Sequence, residues 1–309
     1  MLRTNHLFSW RAFLSLAPVK PLRDVKSASF KVSKGTHNGI FQKCSEGEDG
    51  ARKIEADWLS YTNPANKEKI MYYIHGGGFT LFDKRCFNSL CLKIRETFQR
   101  RVFAIKYRLA PESHFPGPIF DAFKGYLYLI NDRNINPKNI TICGDSAGGN
   151  LSLSLLFYLR EHGYPLPGAC ILLSPWIDMS YSYPSWIEFT KFDYLPERPT
   201  FDHSTMNPSR CYLGRENYYA LTQHPYASLQ YIHDFENMPP MLIQSGGCEV
   251  LVDEIRAFAS KLENSKTTRV TYEEYEDMFH VFQSFPIRKA DQAFESMKEW
   301  LEREELSKE

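Results

Sequence analysis

Residues 140–150 read ITICGDSAGGN, a short β-prone run that turns through glycines around a lone serine, Ser146. Gly144-Asp145-Ser146-Ala147-Gly148 fits G-x-S-x-G. In that pattern a strand turns directly into a helix, and the flanking positions must be small for the two backbones to approach. The serine hydroxyl then stands above a sheet, at a helix N-terminus whose free N–H groups favour negative charge. Turns also collect glycine and serine for backbone reasons alone. Here the strand before and the apolar helix LSLSLLFYL after favour the chemical reading, a nucleophile. A second glycine cluster, His75-Gly76-Gly77-Gly78-Phe79, follows the strand-like run IMYYI. Three successive glycines are costly in backbone entropy, and they make sense where bare N–H groups must face a developing oxyanion. There is no GxxxxGK[ST] or GxGxxG to point to a nucleotide instead.

A serine nucleophile needs a base, and the base an orienting acid. Nine histidines compete. His75 belongs to the glycine loop, and His114 and His224 sit beside prolines in turn-like contexts. His280, in DMFHVF, falls after the late strand RVTYEEY and before the terminal helix, where the base of a Ser…acid…His order belongs. For the acid, MLIQSGGCEVLVDE offers Glu249 just after a strand and Asp253 one turn into a helix, and chemically either serves. Glu276 and Asp277 read as solvated charge.

The elements that must position these residues alternate between strand and helix. Strands are expected at 70–74, 101–107, 140–143, 169–173, 241–245 and 269–275, with helical stretches around 87–99, 118–130 and 151–163. The terminal stretch aligns Ala290, Ala293, Phe294, Met297, Trp300 and Leu301 on one helical face. This is an α/β chain with a mainly parallel sheet covered on both faces. The alternation fails over 180–225, which is rich in proline and aromatics and reads as an insertion over the edge of the sheet.

At 309 residues the chain fits one large domain with an insertion. Its 37 basic and 37 acidic side chains cancel, so nothing draws it to nucleic acid or an anionic membrane. No apolar run approaches the ~20 residues of a membrane span. The seven scattered cysteines, Cys44, Cys86, Cys91, Cys143, Cys170, Cys211 and Cys248, read as reduced thiols, with no metal-ligand spacing among them. The first 23 residues carry Arg3, Arg11, Lys20 and Arg23 and no acid. A surface helix of a cytoplasmic protein is the expectation, and a mitochondrial presequence the alternative.

Taken together, HGGGF (75–79), YRLAPE (107–112), GDSAGGN (144–150), SPWIDMS (174–180) and GCEVLVDE (247–254) resemble the α/β-hydrolases of the hormone-sensitive-lipase group. The resemblance implies a serine carboxylic-ester hydrolase with an α/β-hydrolase core at 61–179 and 226–309. Its helical cap would comprise residues 1–60 and the insertion 180–225. By the same resemblance Ser146 is the nucleophile, His280 the base and Glu249 the acid, with Asp253 structural. Gly77, Gly78 and Ala147 match the oxyanion donors, with Gly76 shaping the loop. No cofactor or metal is implied. Phe79, Trp186 and Phe189, with Phe192 and Tyr194 nearby, are candidate pocket walls. The expected substrates are short- to medium-chain esters of small apolar molecules. The alternatives are a silent small-molecule receptor on the same fold, or a deacetylase or amidase. Oligomeric state is not legible.

Overall fold

A computed structural model describes residues 25–61, 66–81, 88–196 and 207–307. Eight strands form one sheet: β1 (Val25–Lys31), β2 (Lys53–Leu59), β3 (Ile70–Ile74), β4 (Arg101–Lys106), β5 (Ile140–Asp145), β6 (Ala169–Leu173), β7 (Met241–Gly246) and β8 (Val270–Tyr275). Their order is β1-β2-β4-β3-β5-β6-β7-β8. From β4 to β8 every pairing is parallel, while β1 pairs antiparallel with β2 and β2 with β4.

The central strands are apolar on both faces because both are covered. Tyr72, Ile142, Leu172 and Ile243 join one core with residues of α2 (Gly117–Leu127), α3 (Ala147–Glu161) and α4 (Val252–Glu263). The alternate residues Met71, Tyr73, Cys143, Ile171 and Leu242 pack on the other face against α1 (Asn88–Phe98) and α5 (Arg288–Leu306). The expected face of α5 is the buried one: Ala290, Ala293, Phe294, Met297, Trp300 and Leu301 are all in this second core.

Within 1–60, Val25–Lys31 and Lys53–Leu59 are the outermost two strands of the sheet itself, with Ile54, Ala56 and Leu59 buried. Residues 1–24, including the basic stretch, lie outside the described residues. The insertion between β6 and β7 carries three short helices among its described residues, Ser185–Glu188, Pro208–Leu213 and Tyr218–Leu221. It packs on loops at the C-terminal ends of the strands: Phe115 N–H donates to Tyr212 O at 2.8 Å, and Val250 N–H to Asp193 Oδ2 at 2.9 Å. The six described cysteines are free thiols. Among the described residues no helix is long and apolar enough to cross a membrane.

Candidate active site

Sheet order places the candidate residues together. The glycine loop follows β3, Ser146 follows β5, Glu249 follows β7 and His280 follows β8, all at C-terminal strand ends. β3 lies between β4 and β5, so the chain reverses direction of winding there, and open α/β sheets bind ligands outside such a point.

Ser146 sits between β5 and α3 at φ 52°, ψ −121°, a strained conformation for a residue with a Cβ. Its N–H donates to Leu173 O (2.9 Å), and its carbonyl accepts from Asn150 N–H (3.1 Å) and Trp176 N–H (3.0 Å). The turn closes only because its neighbours are glycines. A Cβ on Gly148 would strike the carbonyl oxygens of Ile74 and His75, and one on Gly144 the carbonyl of Gly148. Ser146 is half-buried while Asp145 and Ala147 beside it are buried, so the corner presents the serine.

The glycine loop is held from beneath. Asp145 is fully buried, accepts Tyr73 O–H at 2.5 Å and Gly76 N–H at 3.0 Å, and leaves no room for a Cβ at Gly76. Burial pushes its carboxyl up to about 6, against the pull of these two donors. Tyr107, from YRLAPE, stacks on His75 (ring centroids 4.2 Å apart) and donates to His75 O at 2.8 Å. Gly77 and Gly78 then take φ values of 101° and 60°. Gly76 therefore anchors the loop, its N–H committed to Asp145. No hydrogen bond from Gly77, Gly78 or Ala147 N–H reaches an acceptor among the described residues.

His280 is buried, with Nδ1 3.5 Å from Glu249 Oε2. Glu249 is fully buried too, and Oε2 accepts Ser174 O–H at 2.5 Å. Burial alone would lower the imidazole pKa. The Glu249 carboxylate, with Asp193 and Asp145 farther off, outweighs burial and raises it. Asp253, the other acid open from sequence, is turned elsewhere. It accepts Ser185 N–H (3.0 Å) and Arg256 Nη1 (3.1 Å). Glu254 beside it accepts Ile177 N–H (2.8 Å) and Asp178 N–H (3.1 Å), fixing the segment after β6.

Ser174 was not singled out from sequence, although it opens the quoted SPWIDMS. It is buried, at φ 47°, and its N–H donates to Gln244 O at 2.7 Å. Its hydroxyl donates to Glu249 and accepts Val281 N–H at 3.1 Å, so one side chain joins the acid's loop to the base's loop.

The candidate walls fare unevenly. Phe79, at φ 60°, is fully buried and stacks on Tyr212 with centroids 3.8 Å apart, so it supports the loop and lines nothing open. Trp186 is buried against Tyr181, its indole N–H on Glu254 Oε2 at 3.2 Å, which is packing within the insertion. Phe189 is half-buried beside Phe192. Tyr194 is exposed, and its ring lies 6.1 Å from that of His280.

A family model described as an alpha/beta hydrolase fold matches residues 71–284. An acetyl-hydrolase of Streptomyces hygroscopicus is 34% identical over 74% of this chain and 72% of its own. An esterase of Acinetobacter venetianus is 30% identical over 72% and 70%. Among solved structures, an esterase from the bacterial hormone-sensitive lipase family superposes with a TM-score of 0.76 at 28% identity, covering 98% of this chain and 92% of that one. The chain belongs to the α/β-hydrolase family, in its hormone-sensitive-lipase-like esterase group.

Proposed function

We propose that this serine-hydrolase-type esterase works through an acyl-enzyme on Ser146, with His280 as general base and Glu249 as its orienting acid. His280 takes the Ser146 proton as Oγ attacks the ester carbonyl, and the Gly77, Gly78 and Ala147 amides receive the oxyanion. His280 then returns the proton to the leaving alcohol. Water adds to the acyl carbonyl by the same route, releasing the acid and restoring the serine. The observation that carries this reading is the Ser146 corner. A non-glycine residue is held at φ 52° and partly exposed while both its neighbours are buried. Strain of this kind is retained where it serves a site.

The insertion 180–225 serves as the cap in this reading, because Asp193 and Tyr212 dock it on the loops that carry the site. Short acyl chains are the preferred substrates, and the similarity to an acetyl-hydrolase supports this. A series of p-nitrophenyl esters from acetate to laurate tests the preference. kcat/KM should be highest between acetate and hexanoate, and a maximum at laurate would reverse the assignment. The receptor alternative draws no support from a site that keeps both Ser146 and a His280–Glu249 pair.

A further inference from the structure

The insertion does more than border the site, because a single carboxylate on it reaches both catalytic loops. Asp193 Oδ2 accepts the N–H of Val250, the residue after Glu249, at 2.9 Å. Its Oδ1 accepts the N–H of His280 itself at 3.4 Å, and that of Leu195 at 3.3 Å within its own turn. We propose that Asp193 is a positioning residue for the ester hydrolysis, a strut from the insertion that fixes the acid loop and the base loop relative to each other. The proposal rests on the reading of Ser146, His280 and Glu249 as the reacting groups.

The geometry gives such a strut a task. At 3.5 Å, Nδ1 of His280 is beyond a good hydrogen bond to Glu249, so a small shift of either loop decides whether the pair aligns. The two loops leave adjacent strands, β7 and β8, and are joined directly before these residues, by Gly247 N–H on Tyr275 O at 2.8 Å and Cys248 N–H on Met278 O at 2.9 Å. Ser174 ties them from the sheet side, through Glu249 Oε2 and Val281 N–H. Asp193 ties them from the insertion side, through the next residue along the acid loop and the preceding one along the base loop. The base is thus gripped at two consecutive backbone N–H groups, one by each tie.

Asp193 also bears charge on the pair. The groups acting on the His280 imidazole are Glu249 from the acid loop, Asp145 from the end of β5 and Asp193 from the insertion, with the Tyr194 ring beside it. Each carboxylate favours the imidazolium. Loss of Asp193 therefore lowers the pH at which His280 becomes neutral, an effect that damaged folding alone does not produce.

The test is steady-state hydrolysis of p-nitrophenyl butyrate from pH 5 to 9 by the wild-type protein, Asp193→Ala, Asp193→Asn and Ser146→Ala, with a melting curve for each. Asp193→Ala should lose kcat about ten-fold, the order expected when hydrogen bonds to a charged acceptor are removed, with KM little changed. The acid limb of its kcat/KM profile should move to lower pH. Asp193→Asn keeps one acceptor and no charge, so it should show the same displaced limb with a smaller loss of kcat. If Asp193→Ala does not fold, the Asn variant decides alone. An unmoved limb with kcat within two-fold of wild type overturns the proposal, as does a loss confined to KM. Activity surviving in Ser146→Ala would instead strike down the nucleophile assignment, and the strut with it.

Discussion

Ser146 and His280 stand out in the sequence as candidates because their signals are local: glycines around a serine, and a histidine after the last strand. The choice between Glu249 and Asp253 does not, since it depends on which carboxylate the fold turns toward His280. Glu249 precedes α4 and faces His280, whereas Asp253 lies in the first turn of α4 and holds Ser185. Two predictions belong at this scale. Because nearby carboxylates raise the His280 pKa, and only the neutral ring accepts the serine proton, the acid limb of kcat/KM should fall above the ordinary imidazole value of 6.5. Glu249→Gln removes the largest of those charges, so its limb should move down in pH while kcat drops on the order of 10²–10⁴-fold. A limb left in place in that variant would mean that Glu249 does not act on His280. Ser174→Ala should keep the wild-type fold and KM but lose kcat roughly three- to ten-fold, because Glu249 Oε2 loses its neutral donor. Nothing near Ser174 in the chain announces this, since its partners are 75 and 107 residues away.

Among elements, the central strands were read almost to the residue, since a strand buried on both faces is a continuous apolar run bounded by polar residues. β1 and β2 escaped for the converse reason. VKSASFK is the edge strand and KIEADWL the next one in; both interleave charges with their apolar residues, and β1 leaves most of its side chains in solvent. Such strands look like loop until their partner is known. The left-handed backbone at Phe79 turns its ring inward onto Tyr212, which no residue spacing reveals. The tightest demand on any element is at the start of α3, where the helix crosses β3 at Gly148. Gly148→Ala forces a methyl group against the Ile74 and His75 carbonyls and should destabilise the protein by more than ~2 kcal/mol. Equilibrium urea unfolding checks this, and a loss under ~0.5 kcal/mol would show that the elbow is looser than described.

For the whole molecule, the sheet order does most of the work of assembly. Five successive parallel strands deliver the glycine loop, Ser146, Ser174, Glu249 and His280 to one edge, and the insertion packs on that edge through Asp193 and Tyr212. The same order makes the N-terminal strands part of the core. A chain of residues 61–309 lacks β1 and β2, leaving the β4 edge uncovered, including Ala104 and Val102, which pair with Asp57 and Leu59. It should fail to give a cooperative melting transition. A folded core with altered substrate preference would favour 1–60 acting as part of the cap. The central claim, that this fold exists to activate one serine, is tested most directly by intact-mass analysis after fluorophosphonate treatment of the wild-type protein, Ser146→Ala and His280→Ala. A single adduct on the wild-type chain that is absent from Ser146→Ala and strongly slowed in His280→Ala is the expected result. A folded wild-type protein that takes no adduct, or an adduct that persists in Ser146→Ala, would contradict it.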